Sequence, residues 1–255
     1  MTLLASSKLD IRVAGRPLCR GLDFRMQPGE CWALLGANGV GKTMLLHTLA
    51  GLRPADAGHV RINDRPLADW SARELARYRG VLFQDSQDTF PASVLETVLS
   101  GRHPYLRFWE FESAHDHELA RQALARVGLQ GLEARRVDTL SGGERRRLAL
   151  ATLLVQSPRV MLLDEPSNHL DLRHQMRLFA YLCELTREGL GGLLMSLHDV
   201  NLAQRFCSHV ILMFGSGDVC TGPVAETLSE HTVSRLYDYP VHAVYDGVHC
   251  WYQPD

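Results

Sequence analysis

Two stretches of this sequence carry residue types whose spacing suits phosphate chemistry. The first is Gly36-Ala37-Asn38-Gly39-Val40-Gly41-Lys42-Thr43, which fits the pattern G-x-x-x-x-G-K-[ST]. Its glycines let the backbone curl so that successive N–H groups point inward at anionic oxygens. A helix starting at the end of the loop adds the partial positive charge of its N-terminus. In that frame Lys42 reaches the β- and γ-phosphates of a nucleotide, and the Thr43 hydroxyl ligates Mg2+. The second stretch is Asp164-Glu165, directly after the apolar run Val160-Met161-Leu162-Leu163. Asp164 is expected to hold Mg2+, directly or through water, and Glu165 to polarise a water for in-line attack on the γ-phosphate. Alone, the loop is a glycine-rich turn and the acid pair an acidic turn; together they favour the nucleotide reading.

A third stretch, Leu140-Ser141-Gly142-Gly143-Glu144, places a hydroxyl and two glycine N–H groups where a helix begins. That is a second anion site. It is also a serine N-cap with Glu144 closing a capping box.

These groups need rigid elements behind them. Cys31-Trp32-Ala33-Leu34-Leu35 reads as a buried strand leading into the loop, and Met44 to Ala50 as the helix leaving it. Val160–Leu163, Leu193–Leu197 and Val210–Phe214 are short continuous apolar runs, the mark of strands buried on both faces of a parallel sheet. Helical stretches between them argue for βαβ crossovers and an α/β fold. In such a sheet ligands collect at the carboxyl ends of the strands, where Asp164 lies. The start is β-rich, with alternation at Leu9–Val13, Leu22–Met26 and His59–Ile62 and a turn at Gly15-Arg16-Pro17. From about Ser93 to Gly128 the periodicity is helical, and a second helix is expected from Ser141 until Pro158.

Composition narrows the rest. The 255 residues suit one large α/β domain or one domain with a small insertion, and a formal net charge of −2 gives no sign of a polyanion-binding surface, so no nucleic-acid partner is expected. No apolar run approaches the roughly 20 residues that span a bilayer, and Met1 to Ser7 lacks the features of a secretory signal. The six cysteines are scattered without a C-x-x-C pair and read as small core residues in a reducing compartment. The cytosol is the expected location. Consecutive helix residues diverge, so Arg145-Arg146-Arg147 reads as a solvated face with one or two interface contacts. His115-Asp116-His117 does not converge on a metal and reads as surface.

With these motifs in this order, the chain resembles the ATP-binding cassette family of transporter ATPases over nearly its whole length. The resemblance implies a P-loop NTPase core, a mainly parallel sheet with flanking helices, plus an N-terminal antiparallel β-subdomain and an α-helical subdomain insertion. Residues 1–255 would form one ATPase domain, its catalytic core at about 1–84 and 158–255 and its helical subdomain at about 85–157. It implies that Ser141, Gly142 and Gly143 close on ATP held by the phosphate loop of a second copy. Phe83-Gln84-Asp85 resembles the family's Q-loop, with Gln84 near Mg2+ and the attacking water, and Ser167-Asn168-His169-Leu170-Asp171 its D-loop. Leu197-His198-Asp199 supplies the switch histidine, His198, expected to contact the γ-phosphate. The family often carries an aromatic near the end of the first strand to stack on adenine. Here that place reads Arg12-Val13-Ala14-Gly15, so adenine is expected to rest on Val13 by area contact, with looser base selectivity.

Leu99-Ser100-Gly101-Arg102-His103-Pro104-Tyr105 and the C-terminal Leu236 to Val244 resemble the subfamily serving iron–siderophore, haem and cobalamin importers. That implies two transmembrane permease subunits as partners, a solute-binding protein acting indirectly, and a place at the cytoplasmic face of the membrane. Importers of other solutes such as molybdate, exporters, and soluble cassette ATPases acting on ribosomes or DNA are the competing readings. Phe108-Trp109-Glu110-Phe111 either docks the permease or packs the insertion's own small core.

Overall fold

The computed structural model describes residues 1–84, 91–168, 170–187, 191–247 and 250–255. From the N-terminus, β1 (Leu4–Val13) and β2 (Arg16–Met26) form a hairpin, and β3 (Cys31–Leu35) runs through the glycine loop into α1 (Lys42–Leu49). β4 (Ala57–Ile62), β5 (Arg65–Pro66), α2 (Ala72–Tyr78) and β6 (Arg79–Leu82) follow. Three helices come next: α3 (Val94–Leu99), α4 (Ala114–Arg126) and α5 (Gly142–Val155). The chain then returns through β7 (Val160–Leu163), α6 (Leu172–Arg187), β8 (Gly192–Ser196), α7 (Val200–Phe206) and β9 (His209–Phe214). It finishes with β10 (Asp218–Pro223), α8 (Val224–Thr227), α9 (Glu230–Tyr237), β11 (Val241–Tyr245) and β12 (Cys250–Pro254).

The site-bearing sheet has the order β10-β9-β3-β8-β7-β6, with every pair parallel except β9–β10. Its register aligns Leu34 with Ser196, Leu163 with Met195, and Leu82 with Leu163. The ends of β3, β8, β7 and β6 therefore lie side by side, and the loops leaving them face one another. The apolar runs are buried because both faces of the sheet are covered: Cys31, Ala33 and Leu35 join one core, Trp32 and Leu34 the other. Each buried aliphatic side chain in these strands stabilises the fold by about 1.5–3 kcal/mol. The antiparallel sheet β2-β1-β4-β5 packs its apolar face into the second core.

Four details differ from the sequence reading. The helical stretch from Ser93 is two helices, because residues 100–113 leave the helix between α3 and α4. The first turn sits at Ala14 and Gly15, both with positive φ, while Arg16 and Pro17 begin β2. Phe108, Trp109 and Phe111 are each at least 85% exposed, so they do not pack a core of their own. Asp116 is buried rather than superficial: it caps α4 through Ser113 and pairs with Arg102 Nε at 2.7 Å. Hydrogen bonds from Ser113, and the Arg102 guanidinium beside it, hold its carboxyl down at about 2. An unfolded Asp titrates near 3.9. The native chain is thus stabilised above about pH 3.9, by about 2 kcal/mol, and loses this as pH falls towards about 2. Asp116→Asn is expected to lower stability by about that amount at pH 7 and to lose its deficit in acid, read by urea unfolding across pH.

Candidate nucleotide site

The loop after β3 is built by glycines at close approaches. A Cβ on Gly36 would lie 2.8 Å from the Met213 carbonyl oxygen, and one on Gly41 2.8 Å from Leu18 Cδ1, at φ +112 where side chains are strained. Gly41 is also the N-cap of α1 and offers no side-chain acceptor, and the first turn of α1 holds no acid. Helices α2, α3, α4, α5 and α9 each close their N-terminal N–H groups with a serine capping box. The first turn of α1 therefore presents its donors and its dipole to a ligand from outside the helix. Lys42 is buried, its ammonium donating to the carbonyl oxygens of Gly36 at 2.7 Å and Ala37 at 3.2 Å. Burial lowers its pKa, and the charges of Glu165 and Asp164 act the other way.

Val13, Asn38, Gly39, Gly41, Lys42, Thr43, Gln84, Glu165 and His198 line one cavity of about 690 Å3. Val13 is 42% exposed there with Arg16 beside it, at the end of β1 where an aromatic is lacking. Val40 points into the core, so only its backbone belongs to the loop. Ser141, Gly142 and Gly143 do not line this cavity. Within the chain Ser141 is the cap of α5, taking the Glu144 N–H while its own N–H donates to Glu144 Oε2 at 2.8 Å. Asp85 and His169, named with Gln84 and with the segment after Glu165, lie outside the described residues.

The Thr43 hydroxyl donates to Asp164 Oδ2 at 2.6 Å. These are hard oxygen donors of the kind Mg2+ selects. Among the described residues no group of three or more His, Cys, Asp or Glu side chains is placed to hold a metal. The pair therefore fits an ion completed by phosphate oxygens and water, the usual habit of Mg2+.

Glu165 is gripped on both oxygens. His198 Nε2 lies 2.6 Å from Oε1, Gln84 Nε2 donates to Oε2 at 3.2 Å, and the Asn168 amide donates to the same oxygen. Its backbone is left-handed at φ +47, unusual for a side chain of this size and costly by about 1–3 kcal/mol. Two residues overlooked in the sequence hold it there. The first is Ser196, fully buried at the end of β8, whose hydroxyl donates to Asp164 Oδ1 at 2.5 Å and accepts the Glu165 N–H at 2.9 Å. The sequence signal was a lone hydroxyl in an otherwise apolar run. The second is Arg146. It is buried, and its guanidinium donates to the carbonyl oxygens of Phe83, Gln84, Asp164, Glu165 and Pro166. One side chain thus ties α5 to the segments after β6 and β7. The solvated face expected at Arg145-Arg146-Arg147 is absent: Arg145 binds the carbonyls of Asp138 and Leu140, and Arg147 those of Val127 and Gly128. Its signal was the i, i+4, i+7 stripe of Arg146, Leu150 and Leu153, all buried.

Ser196→Ala is expected to lower turnover about tenfold to 100-fold with little change in KM, because it frees the Glu165 backbone and one Asp164 oxygen. Ser196→Thr, which keeps the hydroxyl, should recover most of the rate; equal turnover in all three proteins would contradict the role.

The family model described as ABC transporter matches residues 19–168. A protein of Streptomyces coelicolor described as hemin import ATP-binding protein HmuV is 39% identical over 239 residues, 94% of this chain and 84% of that one. A protein of the same description from Gloeobacter violaceus is 41% identical over 219 residues, 83% and 78% of the two chains. Among solved structures, a chain of a metal-chelate type ABC transporter in an inward-facing conformation aligns with TM-score 0.87 at 24% identity, covering 100% of this chain and 98% of that one. The cbiO1 chain from Clostridium perfringens, part of the transporter complex cbiONQ, aligns with TM-score 0.76 at 28% identity over 92% and 93%.

Proposed function

Since the chain belongs to the ABC transporter family, being an ATP-binding subunit of an importer, we propose that it drives uptake of haem or a related metal chelate by hydrolysing ATP between two copies of itself. The observation that carries the catalytic part is the grip of Gln84, Asn168 and His198 on Glu165 at the mouth of the phosphate loop. Glu165 takes the proton of the attacking water, and His198 and Gln84 keep its carboxylate aimed. Lys42 and the open donors of α1 neutralise the phosphates. Thr43 and Asp164 would hold Mg2+, which supplies charge stabilisation at the β- and γ-phosphates. Ser141, Gly142 and Gly143, exposed or half-buried and away from their own chain's cavity, face the γ-phosphate of the partner copy.

Passage of the solute belongs to two separate permease subunits in this reading; among the described residues no helix is long and apolar enough to cross a membrane. The helical insertion, assigned to 85–157, meets them at the cytoplasmic face, with Phe108, Trp109 and Phe111 as its exposed apolar tip. A solute-binding protein delivers the cargo on the far side. The import of hemin named for the relatives supports haem as the solute. The test is ATP-dependent uptake by the reconstituted complex offered haem, cobalamin, a ferric siderophore and molybdate. Haem uptake supports the reading, and uptake of molybdate alone overturns it. With Val13 in place of an aromatic, ATP and GTP are expected to be hydrolysed at comparable rates; strict ATP preference would refute this.

A further inference from the structure

A second cleft, of about 200 Å3, lies between the C-terminal end of α4, α5 and α6, apart from the phosphate-loop cavity. The buried Leu178 side chain lies in its apolar wall. Its polar wall holds Arg126 and Arg147 on one side and His174, Arg177 and Tyr181 on the other, and no carboxylate stands among the described lining residues. Two of the guanidinium groups spend donors on neutral partners. Arg126 Nη1 donates to the Tyr181 hydroxyl at 3.2 Å, and Arg147 Nη1 to the carbonyls of Val127 at 3.3 Å and Gly128 at 3.1 Å. His174 has Asp171, 2.8 Å away on its own helix turn. A guanidinium carries five donors, so each of these arginines retains others. Four arginines, Arg126, Arg146, Arg147 and Arg177, thus border an apolar-walled cleft whose described lining holds no carboxylate, Glu144 acting on Arg147 only from outside it, an arrangement relieved by an anion.

We infer that this cleft binds a small organic anion, a phosphate or carboxylate head on the guanidinium groups and a compact apolar body against Leu178. The volume is below the ~300–1,000 Å3 typical of drug-sized ligands, so the body is no larger than about one ring. Arg126 and Arg147 belong to the helices between β6 and β7, whereas His174 and Arg177 belong to α6, which follows Asp171. An anion touching both sides clamps them together. Arg146, whose guanidinium holds the backbone of Gln84 and Glu165, also borders the cleft. A ligand that fits one arrangement of these helices favours it over others. Because Arg146 links the cleft to Gln84 and Glu165, occupancy is expected to change the rate of hydrolysis from outside the nucleotide cavity.

The probe is phenyl phosphate, titrated calorimetrically into the full chain with ADP saturating the phosphate loop. The expected result is one site per chain, weakened about tenfold or more by Arg177→Ala and again by Arg126→Ala. Both arginines are exposed, so these variants keep the fold. Ala125→Trp, from an exposed position in the cleft wall, should block binding sterically. Inorganic phosphate and benzyl alcohol should each bind more weakly than phenyl phosphate. The same compound should change the rate of ATP hydrolysis by the wild-type protein and not by the Arg126/Arg177 double variant. Absence of saturable binding, equal affinity in wild type and both arginine variants, or equal affinity for inorganic phosphate would overturn the inference.

Discussion

Glu165→Gln is expected to lower the steady-state rate of ATP hydrolysis by about 100-fold to 10,000-fold, the usual contribution of a positioned general base. Nucleotide binding should persist, because Lys42, Thr43 and the donors of α1 are untouched. The substitution is nearly isosteric but removes the proton acceptor. It also turns an acceptor-only group, held by His198 on one oxygen and by Gln84 and Asn168 on the other, into one that must present an NH2 to a donor. The backbone anchors, Ser196 Oγ on the N–H and Arg146 on the carbonyl, do not depend on the side chain. The loss should therefore fall on turnover and not on stability. Single-turnover hydrolysis beside a thermal melt separates the two; turnover within threefold of wild type would refute the base assignment.

Arg146→Ala should be the most damaging change away from the cavity's chemistry. Five backbone carbonyls accept from this buried guanidinium. Removing it leaves several of them without a donor, at about 1–3 kcal/mol each before relaxation. A net loss of about 3–5 kcal/mol is expected, near the ceiling for single substitutions. At this chain length that lowers Tm by roughly 6–20 °C. Activity should fall further than stability explains, because Gln84 and the strained Glu165 backbone lose their common anchor. Arg146→Lys keeps the charge but lacks the planar fork, so it should recover part of the stability and little of the rate. A Tm within 2 °C of wild type for Arg146→Ala would contradict this account.

Glu165 was visible because an apolar run ending in two acids has few meanings once a phosphate loop precedes it. Arg146 was hidden because a run of three arginines says nothing about direction; which one turns inward depends on where the segments after β6 and β7 pass, and that is tertiary. The buried strands Cys31–Leu35 and Val160–Leu163 were readable to the residue, since period and length agree when both faces are covered. Asp116 had a local signal, Ser113 three residues earlier, masked by the flanking histidines. Cys31 meets Cys207 at 3.7 Å and Cys183 at 3.8 Å, partners 176 and 152 positions away, which no spacing rule reaches.

The cavity around Lys42 is proposed to be half of a site, completed by Ser141, Gly142 and Gly143 of a second copy. The direct measurement is the solution mass of the Glu165→Gln protein by light scattering, with and without saturating ATP and Mg2+. A monomer without nucleotide and a dimer with ATP, the dimer abolished by Ser141→Arg, is the predicted result. A protein that binds ATP yet stays monomeric at saturation would contradict the claim.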